Sequence, residues 1–231
     1  MERAARREFL QKQLEQKARL TVGAIAEPSA LHLSAQEIER DCEVVELRLD
    51  SLGWEDGVVA FAARCPVPVL VTARGPAEGG QNALTVAQRK EGYAALMAEA
   101  AAVDVEFRDF EVMELVLAEA KQKGCVIVGS FHDFSATPEK VILEAQASPL
   151  ATVTKLACLT RDLEELDRLL RHASGLPCGA VMGMGPLGSA SRPLFATAGS
   201  LLNYGYLGDA PTAPGQWPAG LLKQAIAAVG A

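Results

Sequence analysis

Hydrophobic and polar positions alternate in two distinct rhythms along this chain. Short β-branched runs recur as "LTVGAIA" near residue 20, "EVVELRL" near 43, "VPVLVTA" near 67 and "AVDVEFR" near 102. They continue as "CVIVGSF" near 125, "ATVTKLA" near 151, "PCGAVMG" near 177 and "SLLNYGYL" near 200. Between them lie stretches of helical period: "SAQEIERD", "DGVVAFAARC", "TVAQRKEGYAALMAEAAA", "FEVMELVLAEAKQKG", "PEKVILEAQA", "TRDLEELDRLLRHA" and a shorter "SRPLFATAG". A last helix, "PAGLLKQAIAAV", closes the series. Thr160 and Pro138 read as helix starts, Gly124 and Gly175 as helix stops.

Strands that alternate with helices imply parallel βαβ units. Eight such units in 231 residues fit a closed (β/α)8 TIM barrel better than an open doubly wound sheet. No linker or break in composition divides the chain, so one domain is expected, the barrel taking residues 19–231. Residues 1–18, "MERAARREFLQKQLEQKA", read as a polar helical lead-in. Their basic residues surround no continuous apolar core, which excludes a secretory signal.

Within the strands, ionisable residues collect toward C-terminal ends, where barrel enzymes assemble active sites. In "VVELRLD", Glu46, Arg48 and Asp50 share one face by alternation, with Val45, Leu47 and Leu49 on the other. Arg74 ends the third strand, Glu106 lies late in the fourth, His132 ends the fifth and Lys155 lies late in the sixth. Arg192 follows the seventh strand in "GPLGSASR". Arg48 with Glu46 or Glu106 can equally be read as a buried ion network that only fills the barrel. His132 can be a satisfied structural histidine; His32 and His172 read as solvated bystanders.

A net charge of −7 argues against nonspecific binding to nucleic acid. No apolar run approaches the ~18 residues of a membrane span. The cysteines, Cys42, Cys65, Cys125, Cys158 and Cys178, are scattered without a CxxC pair. That suits a reducing compartment and suggests neither a disulfide framework nor a zinc site, so a cytoplasmic protein is expected. "EGG", Glu78 to Gly80, reads as a flexible loop, and the Gly-rich "MGMGPLGSAS" matches no nucleotide-binding pattern. Met182 and Met184 within it read as packing.

Lys155 raises the sharpest question, because an ammonium is costly to desolvate beside Val153, Thr154, Leu156 and Ala157. It is a paired charge, an edge-strand residue, or an amine kept neutral to react. In the last case it attacks a ketone to form a Schiff base, and a histidine on the next strand moves the protons. Glu78 would then fix one tautomer of His132 and favour its protonated form. Arg48, Arg74 and Arg192 would grip a carboxylate and hydroxyls. A Schiff-base lyase or aldolase acting on a small, polyhydroxylated, anionic ketone is the expectation.

The series "ELRLD", "TARGPAEGG", "VDVEF", "SFHDFSATP", "TVTKLA", "GSASR" and "TAPGQ" resembles the type I 3-dehydroquinate dehydratases, in order, from about residue 44 to 217. The resemblance implies a (β/α)8 fold, no metal or organic cofactor, a homodimer, and loss of water from 3-dehydroquinate to give 3-dehydroshikimate in the shikimate pathway. It implies that Lys155 forms the imine, that His132 is the general base and acid, and that Glu78 orients it. It assigns Glu46, Arg48 and Arg74 to the substrate hydroxyls, Arg192 to the substrate carboxylate, and Thr212 and Gln216 to the closing loop. Thr212 stands where that family usually has Ser, which keeps the hydroxyl and adds a methyl. No β-hairpin of the kind that commonly seals the barrel floor precedes Leu20, and the stretch between the first two strands is short. Two alternatives remain: another Schiff-base barrel aldolase, which should show a phosphate cradle after strands seven and eight, or a non-catalytic barrel that senses a metabolite.

Overall fold

The structure is a computed structural model that describes residues 1–137, 149–213 and 215–229. All eight expected strands form: β1 (Leu20–Ile25), β2 (Val44–Arg48), β3 (Val69–Thr72), β4 (Ala102–Glu106), β5 (Val126–Asp133), β6 (Val153–Leu159), β7 (Gly179–Met184) and β8 (Leu202–Tyr206). They pair in parallel in the order β7-β6-β5-β4-β3-β2-β1-β8, which wraps the sheet into a nearly closed barrel. At the seam, Leu201 donates its amide to the Gly179 carbonyl at 2.8 Å. The amides of Val181 and Gly183 on β7 are taken by the hydroxyls of Ser200 and Ser191 at 3.0 and 2.9 Å. Side chains thus replace part of the missing ladder.

Helices follow the strands as Ala35–Asp41, Asp56–Arg64, Val86–Leu96, Glu114–Gln122, Leu163–Gly175, Gly188–Thr197 and Ala219–Val229. The helix expected at "PEKVILEAQA", with Pro138 as its start, lies outside the described residues. Capping boxes start two helices: Ser34 pairs with Glu37, and Thr85 with Gln88. Asp162, not Thr160, caps the helix Leu163–Gly175 through the Glu165 amide; a carboxylate also suits a helix N-terminus better. Gly124 follows Glu114–Gln122 with φ of 72°, the left-handed stop expected of it, and Gly175 is the last helical residue of its element. Among the described residues, no helix is long and apolar enough to cross a membrane.

Alternation sorts each strand between two cores. Val45, Leu47, Val69, Val71, Val103, Val105 and Ile127 face outward into the layer beneath the surrounding helices. Val22, Val44, Leu70, Ala102, Val126 and Val153 face inward and fill the lower barrel.

The N-terminal residues do more than lead into the barrel. Helix α1 (Arg3–Glu15) inserts Leu10 and Leu14, both buried, into that inward cluster and covers its floor without a hairpin. Its arginines dock on helix ends: Arg6 donates to the carbonyls of Ala62 and Ala63 at 2.8 and 3.0 Å, and Arg7 to those of Ala98 and Ala100 at 2.8 Å each. Cations are favoured there, because the last carbonyls of a helix lack partners and carry its negative end.

Candidate active site

Above the apolar floor the inward positions turn polar. Glu46 and Arg48 come from β2, Thr72 and Arg74 from β3 and its extension, Asp104 and Glu106 from β4, Ser130 and His132 from β5. Lys155 is the third residue of β6, so it stands early in the strand, not late as the sequence suggested. The register sets it opposite Ser130, with His132 opposite Ala157 one inward step higher. The amine therefore rises from below, and the imidazole stands nearer the barrel mouth. Both line one cavity at the barrel mouth. All nine residues picked from the sequence line it: Glu46, Arg48, Arg74, Glu78, His132, Lys155, Arg192, Thr212 and Gln216. His32 and His172 do not.

Lys155 is not walled in by apolar groups. Its Nζ lies 2.9 Å from Asp104 and 3.6 Å from Glu46, and 4.0 Å from the ring centre of Tyr204. Asp104 also meets Arg74 at 2.9 Å and accepts the Ser130 hydroxyl at 2.6 Å. Burial pushes the Asp104 carboxyl upward, but Arg74 and Lys155 outweigh it and hold it well below the usual range. Glu46 is steadied by the Thr72 hydroxyl at 2.8 Å.

Arg74 is buried between Asp104 and Glu106, the latter 3.3 Å away. Burial disfavours its charge, yet the two carboxylates raise it well above the usual guanidinium value. Glu106 does not reach the cavity. It pairs with Arg89 behind Arg74 and accepts the Gly75 amide at 2.7 Å, so it serves as a support. Arg48 pairs with neither Glu46 nor Glu106. The chain turns helical at Leu49–Leu52, which brings Asp50 back onto Arg48 in a two-pronged pair of 2.9 and 2.7 Å. Asp50 also accepts the amides of Arg74 and Gln81 at 3.2 and 3.0 Å, tying the loop after β3 to β2.

That loop, expected from "EGG" to be flexible, folds into a hydrogen-bonded turn. Pro76–Glu78 forms a 3-10 turn, closed by amides of Glu78 and Gly80 on the Gly75 carbonyl at 3.1 and 3.0 Å. Gly79 has φ of 86°, and a Cβ on Gly80 would lie 2.3 Å from the Arg74 carbonyl oxygen. The turn buries Glu78 and aims it at His132: Oε2 lies 2.9 Å from Nδ1 and accepts the His132 amide at 2.9 Å. Burial, against the pull of Arg74, pushes the Glu78 carboxyl up to about 7. Burial and the charges of Arg74 and Lys155 hold His132 well below the usual imidazole value. The imidazole is therefore kept neutral, contrary to the protonated form expected from its carboxylate partner.

Arg192, on Gly188–Thr197, donates to the carbonyls of Tyr204 and Gly215 at 2.6 and 3.0 Å. Among the described residues it has no carboxylate partner, and burial lowers its pKa to about 10. Thr212 donates its amide and hydroxyl to Gln216 Oε1 at 2.7 Å each, closing the loop after β8. Met182 and Met184 pack in the inward cluster and also form one cavity wall. Among the described residues, no three His, Cys, Asp or Glu side chains group as a metal site requires.

Sequence reasoning missed Asp104, Ser130 and Tyr204. Asp104 was within reach of the alternation rule, being two residues before Glu106 on the same face. Tyr204 carried no charge to flag it.

The family model described as Type I 3-dehydroquinase matches residues 24–231. A 3-dehydroquinate dehydratase from Methanocella arvoryzae is 33% identical over 190 residues, covering 78% of this chain and 84% of the relative. One from Methanothrix thermoacetophila is 29% identical over 218 residues, 91% of each chain. In shape, the crystal structure of 3-dehydroquinate dehydratase from Geobacillus kaustophilus superposes with a TM-score of 0.78 over 91% of each chain, at 21% identity, a likeness of fold.

Proposed function

Because the chain belongs to the type I 3-dehydroquinase family, we propose that it removes water from 3-dehydroquinate to give 3-dehydroshikimate, with Lys155 as the imine-forming amine. One observation carries the assignment of residues: Lys155 and a neutral His132 line one cavity whose buried Arg192 meets no carboxylate among the described residues. An amine, a base and an anion-binding guanidinium are what a β-elimination from an anionic hydroxyketone needs.

Lys155 gives up a proton and attacks the ketone carbon. The C–N bond forms, the carbonyl oxygen departs as water, and a cationic iminium results. Arg192 binds the substrate carboxylate, while Glu46, Arg48, Arg74, Thr212 and Gln216 hold its hydroxyls. His132 then takes a proton from the carbon beside the iminium, and the released electron pair neutralises the nitrogen as an enamine. Those electrons expel the hydroxyl on the next carbon as His132 returns its proton, so that a second water leaves. Hydrolysis of the conjugated iminium frees the enone and regenerates the amine. Glu78 accepts from Nδ1 throughout, directing the Nε2 lone pair to the substrate. A homodimer, as the family resemblance implies, is the assembly proposed, and the cytoplasm, as the scattered cysteines suggest, the location.

Borohydride added with 3-dehydroquinate should reduce the iminium and leave a stable adduct on the peptide that contains Lys155. An adduct on another lysine would reassign the nucleophile. Enone absorbance without any trapped adduct would remove the Schiff base from the mechanism.

A further inference from the structure

Tyr204 has a place in the site that the steps above do not use. It lies on β8 opposite Val22 of β1, a ladder that fixes its backbone, and its carbonyl accepts Arg192 at 2.6 Å. The next residue, Gly205, could not carry a Cβ without meeting Ala219 at 2.6 Å, which locks the strand against its following helix. The ring is buried, and its face lies 4.0 Å from the Lys155 nitrogen. Its hydroxyl is buried too and has no hydrogen-bond partner among the described residues. The ring face is what meets the amine.

Resting on the Schiff-base reading, we propose that the ring of Tyr204 stabilises the positively charged nitrogen of Lys155 during turnover. The negative face of an aromatic ring attracts a cation close above it and does little for a neutral amine. Along the reaction the nitrogen is cationic as ammonium and as iminium, and neutral as carbinolamine and enamine. The ring therefore shifts the bound intermediates toward iminium, the species that withdraws electrons from the adjacent carbon. Asp104 and Glu46 act on the same charge from the strand side, at 2.9 and 3.6 Å.

The test uses the full chain with Tyr204→Phe, with 3,4,5-trifluorophenylalanine at position 204, and with Tyr204→Leu. Phenylalanine keeps the ring face and, like the trifluorinated residue, lacks the hydroxyl, so it is the reference for both turnover and borohydride trapping. Trifluorophenylalanine keeps the shape but removes most of the negative potential. It should cut kcat and the trapping rate about three- to ten-fold, with KM and thermal stability near those of the Phe variant. Tyr204→Leu should lose at least as much. Equal rates for the phenyl and trifluorophenyl proteins would overturn the proposal, whatever the Leu variant does. Failure of the native protein to be trapped at Lys155 would instead overturn the functional reading on which it rests.

Discussion

One carboxylate oxygen of Glu78 accepts the backbone amide of His132 and pairs with its Nδ1, each at 2.9 Å. The imidazole is thereby held in one ring orientation. Glu78 titrates near 7 and His132 well below its usual value, so raising the pH through about 7 ionises the carboxylate beside an already neutral imidazole. The pair gains basicity there. Its kcat/KM should therefore rise with pH and level off above about 7, the limb belonging to the pair and not to either residue. Glu78→Gln should flatten that limb and lower kcat, and His132→Ala should lower kcat by about 10²-fold or more. Steady-state rates across pH 5 to 9 on enone absorbance provide the check. Stability follows a separate sign. In the unfolded chain Glu78 ionises near 4.5, while the fold keeps it protonated to about 7, so its contribution is complete below 4.5 and lost as pH rises through 7.

Asp104 holds together two cations, Lys155 and Arg74, each at 2.9 Å. Asp104→Asn leaves both buried without their shared counter-charge. The loss should be about 3–5 kcal/mol in denaturant unfolding, with turnover reduced as well. Because the folded carboxyl is held down, its stabilisation is present above the ordinary Asp value and disappears as pH falls through the depressed one. The variant should therefore show a shallower loss of stability in acid.

Gly80 backs the turn that presents Glu78. A Cβ there would meet the backbone carbonyl of Arg74 at 2.3 Å, and backbone cannot swing aside as a side chain can. Gly80→Ala should cost about 1–3 kcal/mol and reduce kcat through a displaced Glu78. Gly57→Ala, where nothing lies within 4 Å and the backbone is helical, is the control: it should leave kcat unchanged and stability the same or up to about 1 kcal/mol higher.

Leu10 on α1 is buried in the inward barrel cluster. Leu10→Ala should destabilise the protein by about 2–5 kcal/mol, read as a lower Tm. The site lies at the other end of the barrel, so kcat measured well below that Tm should be unchanged.

Strand positions were readable because each β-branched run serves both cores at once, and Glu46, Arg48, Arg74, His132 and Lys155 because ionisable groups near strand ends stand out, whereas Thr212 and Gln216 came only from the family resemblance. Local signals failed where tertiary partners decide. Asp50 alternates with Glu46 and Arg48 in the sequence, yet the chain turns helical and makes it Arg48's clamp. The desolvated Lys155 inferred from its strand neighbours is paired from β4 and β2, which neighbours in sequence cannot reveal. The docking of Arg6 and Arg7 left no local signal, because their acceptors are carbonyls about 60 to 90 residues away. Tyr204 stayed invisible for the opposite reason: a tyrosine in a strand is ordinary, and its value lies in what stands above its ring.

The anchoring of α1 has a consequence for how the chain comes together. Its partners are Ala62, Ala63, Glu99, Ala100 and Gly124, all synthesised later than the helix itself. The segment made before them waits for half the polypeptide to emerge, then clips the bases of several βα units at once. It acts as a latch thrown late, and native-state hydrogen exchange should find its amides opening together with the barrel floor.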